Sequence, residues 1–239
     1  MPQPRNQIIA LGGGGFSMEP DNLLLDQYIL QQSPHQNSRV CFLPTASGDS
    51  DNYIRRFYTA FTTLDCRPTH LSLFRPPATG VASVLSQQDV IYVGGGSTTN
   101  LLTLWRAWGV DVLLKRAWQG GTILCGLSAG SLCWFEEGPS DSVVPGEYRK
   151  IDCLGFLSGS HCPHHDGERK RAPAYKKLIA NGTLSAGIAA DDGVALHYVG
   201  DSLAAVVSSR PEAKAYRVDV QEEKVITPRY LAEELPDRQ

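Results

Sequence analysis

The chain has 239 residues, a net charge of −3 at pH 7, 42% hydrophobic and 20% charged residues, the make-up of an ordinary globular protein. With no long Lys/Arg cluster it lacks the electrostatic footprint of a nucleic-acid or anionic-membrane binder. No stretch approaches the ~18 apolar residues of a membrane helix, and the run Ile8, Ile9, Ala10 is too short for a secretory signal core, so a cytoplasmic protein is expected.

Apolar runs at 7–11, 39–43, 69–73, 90–93 and 122–126 are each four or five residues long and end near Gly or Pro, which predicts buried parallel strands. Between them, 22–31, 52–64, 81–85 and 100–117 carry apolar residues at helical spacing. After Glu136 this alternation fades into turn-rich sequence. A helix is predicted over 171–180, antiparallel strands at 188–190, 194–199, 203–207, 215–220 and 224–226, and a frayed polar end over 233–239. With no linker or repeat, the expectation is one domain over 1–239: α/β, built on a doubly wound, mostly parallel sheet. Six Cys, at 41, 66, 125, 133, 153 and 162, form no C-x-x-C, and several lie in apolar runs; reduced, buried thiols are expected.

Ligands of such a sheet bind beyond the carboxyl ends of the strands. Four small-residue loops fall there: the glycines at 12–15, then Thr45-Ala46-Ser47-Gly48, Gly94-Gly95-Gly96-Ser97 and Leu127-Ser128-Ala129-Gly130. In the last, an apolar strand runs into G-x-S-x-G with a helix able to follow, the pattern of a nucleophile elbow. There Ser128 is lifted above the sheet and the Ala129 N–H faces a developing oxyanion; the alternative is a plain strand-to-helix turn of small residues. A second oxyanion donor can come from the Gly94–Gly96 loop, which otherwise reads as a tight turn or a phosphate cradle. The glycines at 12–15 lack G-x-G-x-x-G spacing, which disfavours a dinucleotide site.

A nucleophilic serine needs a base and an acid that orients it. Three of the six histidines, His161, His164 and His165, lie in Ser160-His161-Cys162-Pro163-His164-His165-Asp166. That cluster also invites a metal reading through His161, Cys162 and His165, but no spacing matches an established zinc motif, and neither metal nor cofactor is expected. Candidate acids are Asp141, Asp191 and Asp192, the last two at the end of an apolar run, where a turn or Asx cap is the competing reading.

The elbow GLSAGS preceded by GGTILC, the stretch VGGGSTTNLL, the strand end CFLPTAS, LGFLSGSHCPHHD and the late DDG together resemble the peptidase E (alpha-aspartyl dipeptidase) family, with cyanophycinase as a more distant relative, over residues 7–200 or so. The resemblance implies a flavodoxin-like fold of the class I glutamine amidotransferase type, with Ser where amidotransferases carry Cys, and the chain order Ser, His, acid. It implies Ser128 as nucleophile, His164 as base, Gly96 and Ala129 as oxyanion donors, and Asp192 as the acid, with Asp141 as the other carboxylate proposed for that role. Ser97 replaces the Asn usual after the three glycines, which bears on contacts to substrate. Arg171 falls where the family places an Arg for the side-chain carboxylate of a dipeptide with N-terminal Asp; for the run Glu168 to Arg171 a solvated basic turn is the competing reading. The expected partner is thus a small peptide, with a homodimer carried as the assembly expectation. Two rivals accompany it: a non-catalytic small-anion or nucleotide-binding protein, and an amidase or esterase using the same serine.

Overall fold

The computed structural model describes residues 6–234; residues 235–239, most of the tail expected to fray, lie outside the described residues. In chain order the elements are β1 (Gln7–Leu11), α1 (Gly15–Met18), α2 (Leu24–Gln31), β2 (Ser38–Leu43), α3 (Asp51–Phe61), β3 (Cys66–His70), α4 (Val81–Leu85), β4 (Val90–Val93), α5 (Thr98–Trp108), α6 (Val110–Gln119), β5 (Ile123–Leu127), α7 (Ala129–Leu132), β6 (Phe135–Ser140), β7 (Arg149–Asp152), β8 (Leu157–Cys162), α8 (Arg171–Ala180), β9 (Gly187–Ala190), β10 (Val194–Val199), β11 (Ser202–Ser208), β12 (Ala215–Val218), β13 (Glu223–Ile226) and β14 (Arg229–Tyr230).

Strands β3, β2, β4, β5 and β1 lie side by side and parallel, and antiparallel β10 and β11 extend the sheet past β1 to β14. Period-two alternation sends Ile9, Leu11, Phe42, Tyr92 and Cys125 to one face, against Phe16, Leu25, Phe57 and Phe61 of α1 to α3. Ile8, Cys41, Ile91, Val93 and Leu124 point to the other, against Trp105 and Leu114 of α5 and α6. Both faces are therefore buried, which is why these strands read as nearly continuous apolar runs.

A second, six-stranded sheet, ordered β13, β12, β9, β8, β6, β7, departs from the single-sheet expectation. Phe135, Leu157, Ile188 and Ala215 of this sheet share a core with Ile8 and Leu124 of the first, and α8 packs Tyr175 and Ile179 over Cys162 and Ala189. Strand β9 pairs parallel to β8 and antiparallel to β12, so the late strands are not uniformly antiparallel. Two predicted elements also move. The strand expected at 69–73 runs over Cys66–His70 as an exposed edge, with Leu71 and Leu73 buried beyond its end, and Pro68 is tolerated there because an edge strand leaves one N–H row unpaired. The helix expected over 100–117 is two, broken at Gly109 in the left-handed region (φ 67°). All six cysteines are free, four of them buried. Among the described residues no helix is long and apolar enough to cross a membrane.

One buried carboxyl group is unusual. Asp26 of α2 is wholly buried beneath α1, its Oδ2 accepting the Phe16 N–H at 2.7 Å. Burial outweighs that bond and pushes its pKa from 3.8 to about 7. Between those values the unfolded chain ionises while the folded chain keeps its proton, so the folded state loses ground as pH rises and the loss levels off above 7. Asp26→Asn, whose amide carries hydrogens at neutral charge, is expected to flatten this slope. Denaturant unfolding at pH 5 and pH 8 checks it: wild type should lose up to about 3 kcal/mol more than the variant between the two.

Candidate active site

The chain leaves β5 through Ser128, at φ 56° and ψ −118°, into the single turn of α7. Among the described residues four non-glycine residues have positive φ: Asn37, Asp49 and His164 are types that tolerate it, and Ser128 is not. The strand-loop-helix context thus sets the Ser128 side chain above the sheet, as the elbow pattern predicts.

Parallel pairing of β1 with β5 puts Leu11 beside Leu127, so the glycines after β1 lie next to Ser128's turn. His164 is anchored to those glycines by its N–H, which donates to Gly12 O at 3.1 Å. Its Nδ1 donates to Asp192 Oδ1 at 2.5 Å. Gly13 runs against this pair and bridges to Asp192; a Cβ on Gly13 would stand 2.0 Å from Asp192 Oδ1 and 2.9 Å from His164 Cε1. Gly13 therefore makes room for an imidazole and a carboxylate. Burial alone would raise the Asp192 pKa, but the His164 hydrogen bond and the nearby positive charges of Arg210 and Arg171 overcome it and hold the carboxyl below its usual range. Asp166 Oδ1 accepts the Asp192 N–H at 2.8 Å and fixes the backbone of the acid.

A cavity of about 270 Å³ opens over the elbow, with Ser128, Ala129, Gly96, Ser97, Asp141 and Arg171 on its walls together with Pro163, the neighbour of His164. A larger hollow of about 490 Å³, lined by Leu30, His35 and Leu64 among others, contains none of these groups. Gly96 adopts φ 139°, and a Cβ there would come within 2.2 Å of Ala46 O, so only glycine lets the loop lie this close. Its N–H meets no acceptor among the described residues. Ala129 opens α7, where an N–H has no partner inside the helix. Ser128 Oγ likewise makes no hydrogen bond among the described residues.

The remaining candidates separate. Asp141 stands on the cavity wall with Oδ2 accepting the Gly146 N–H at 3.0 Å, and among the described residues it makes no hydrogen bond to His164. Asp191 turns from the cavity and accepts from the Lys214 N–H (2.9 Å) and the Tyr216 hydroxyl (3.3 Å). Ser97 caps α5, its Oγ accepting the Asn100 N–H at 3.2 Å. Arg171 is not a solvated turn residue: it is 6% exposed, its Nε donates to Glu168 Oε2 at 2.8 Å, and its guanidinium lies 4.9 Å over the Tyr148 ring. Burial works against the Glu168 carboxylate, but hydrogen bonds from Arg171 and Tyr148 hold it charged. Of the metal-reading trio, His161 bonds to Ser131 and Ile188, Cys162 packs under α8, and His165 bonds to Glu223.

The sequence reading missed Asp166, the packing of Gly12 and Gly13 on the dyad, and Tyr53, whose hydroxyl accepts the Gly95 N–H at 3.2 Å. The glycine run itself was the available signal for the second.

Residues 8–206 match the profile of peptidase family S51. The chain is 60% identical over 219 residues to "Uncharacterized peptidase YgaJ" of Bacillus subtilis, covering 92% of this chain and 94% of that protein. It is 28% identical over 173 residues to "Peptidase E" of Shewanella denitrificans, covering 68% and 72%. Two crystal structures share the fold: a peptidase from an acI-B1 Actinobacterium (TM-score 0.70, 19% identity, 95% of this chain and 96% of that one) and a putative peptidase E protein from Listeria monocytogenes EGD-e (TM-score 0.64, 20% identity, 86% and 98%).

Proposed function

Since the chain belongs to peptidase family S51, we propose that it is a serine peptidase acting on small peptides through an acyl-enzyme on Ser128, with dipeptides bearing an N-terminal Asp as its preferred class. The observation that carries this reading is the meeting of an elbow serine and two free N–H donors in one cavity, with the bonded His164–Asp192 pair at the adjoining strand end. The flavodoxin-like, amidotransferase-type arrangement implied by the sequence is part of the same reading.

In the mechanism, Ser128 Oγ attacks the scissile carbonyl carbon while His164 Nε2 takes its proton. The oxygen that gains negative charge accepts hydrogen bonds from the Gly96 and Ala129 N–H groups. Asp192 keeps Nδ1 protonated, so that Nε2 is the free base, and stabilises the imidazolium that forms. Collapse breaks the C–N bond as Nε2 returns the proton to the leaving amine. A water, deprotonated by the same nitrogen, then hydrolyses the ester and releases Ser128. The Ser128–His164 hydrogen bond forms in the substrate complex, as such bonds commonly do.

For selectivity, Arg171 stands on the cavity wall with Nε held by Glu168, leaving its Nη groups to take a side-chain carboxylate. Asp141, on the same wall, takes the α-amino group. Arg171→Met is expected to cost about 3 kcal/mol in kcat/KM for Asp-X dipeptides, roughly 100-fold, and little for Ala-X. Hydrolysis of a dipeptide panel varied at the first residue measures this. Equal losses on both substrates, or a wild type indifferent to Asp, would remove the specificity and leave the serine chemistry standing.

A further inference from the structure

His161 is wholly buried at the end of β8, three residues before His164, and the mechanism above makes no use of it. Its Nδ1 lies 2.9 Å from the Ile188 carbonyl of β9, four residues before Asp192. A carbonyl can only accept, so Nδ1 carries the proton and Nε2 is the lone-pair nitrogen. Nε2 then accepts from the Ser131 hydroxyl at 2.7 Å. Ser131 sits in α7, its N–H bonded to Ser128 O at 3.0 Å. The imidazole face stacks on Phe135 at the start of β6, 4.4 Å between centroids at 20°. Burial pushes the His161 pKa down to about 3, so the ring stays neutral and keeps this single tautomer.

Serine, base and acid follow three different strands, β5, β8 and β9, and α7, only four residues long, has too few internal bonds to hold its own orientation. We propose that Ser131 and His161 are a positioning pair: one buried imidazole, hydrogen-bonded to α7 and to β9 and borne on β8, fixes the elbow serine in register with the strands that deliver His164 and Asp192. Neither touches substrate. The pair acts because reacting groups displaced by an ångström lose on the order of 100-fold in rate. This assignment rests on the reading of Ser128 as nucleophile.

Ser131→Ala leaves the His161 lone pair buried without a donor, and His161→Asn keeps a donor for Ile188 O while losing the link to Ser131. Each is expected to lower kcat on an Asp-X dipeptide, and the rate of Ser128 modification by a fluorophosphonate, by roughly 10- to 100-fold, with KM within about twofold. The double variant should lose no more than the worse single one, because both remove one link. Assays run at a temperature where circular dichroism gives the native signal; if one variant does not fold, the other carries the measurement. A folded variant with kcat and labelling within about twofold of wild type, or a rise in KM matching the fall in kcat, would overturn the proposal. Ser128→Ala is run beside them: activity surviving there removes the nucleophile reading itself, whereas a dead Ser128→Ala beside an undiminished Ser131→Ala removes only the positioning role.

Discussion

Ser128→Ala is expected to lower kcat/KM for dipeptide hydrolysis by about four orders of magnitude or more, with folding and thermal stability nearly unchanged. Two nearby hydroxyls are already engaged: Ser131 is buried and donates to His161, and Ser97 caps α5. Alanine keeps the Cβ and the backbone geometry of the elbow, so the Gly96 and Ala129 donors stay in place. The residual rate then reports oxyanion stabilisation and binding without a nucleophile. The comparison is a progress curve for wild type and variant at equal concentration, with circular dichroism and melting curves on both. Activity within tenfold of wild type in a folded variant would show that the acyl group is not carried on Ser128.

The second large effect concerns the acid. Asp192→Asn is expected to reduce kcat by about 10³- to 10⁴-fold while KM changes little, because the amide no longer enforces a proton on Nδ1 and offers no charge to the imidazolium. Asp141→Asn should instead raise KM with a smaller effect on kcat, since Asp141 lines the cavity while Asp192 is the carboxylate bonded to His164. The depressed pKa of Asp192 gives a stability signature with a definite sign. Such a carboxylate stabilises the fold above its ordinary pKa, and that contribution disappears as pH falls through the lower folded value. Wild type should therefore exceed Asp192→Asn in stability by more at pH 7 than at pH 3. Denaturant titrations at both values measure the difference, and the reverse ranking of the two Asn variants in kcat would move the orienting role to Asp141.

The first sheet was legible because its strands are buried on both faces and so appear as short apolar runs: β1, β2, β4 and β5 fall within a residue of their predicted bounds. Strand β3 was displaced because an edge strand needs no such run, and the apolar signal at Leu71 and Leu73 belongs to residues buried beyond it. The second sheet was half legible: β9, β12 and β13 lie at the runs 188–190, 215–220 and 224–226, while β6, β7 and β8 were hidden. Its β6 and β8 carry Glu, Gly, Ser and His where an apolar pattern is sought, since polar groups there are bonded internally: Glu137 accepts the Ser185 N–H, and Ser160 donates to Ser185 O. In the candidate site, the turns that bring Ser128, Gly96 and Ala129 to one cavity were legible from local turn chemistry, which short motifs encode. Which carboxylate bonds His164 was not, because it depends on which loop comes to lie against Gly13, a long-range contact with no local signature. The burial of Arg171 was hidden for the same reason, since Glu168 and Tyr148 neutralise and stack it only in the fold.

The most direct test is the intact mass of the protein after brief treatment with a fluorophosphonate, followed by peptide mapping. The phosphonyl group bonds to an activated serine oxygen with loss of fluoride. The account predicts one adduct per chain, on Ser128, formed quickly in wild type, greatly slowed in His164→Ala and absent in Ser128→Ala. A wild-type protein that folds, hydrolyses dipeptides and acquires no adduct, or acquires it on a serine other than Ser128, would contradict it.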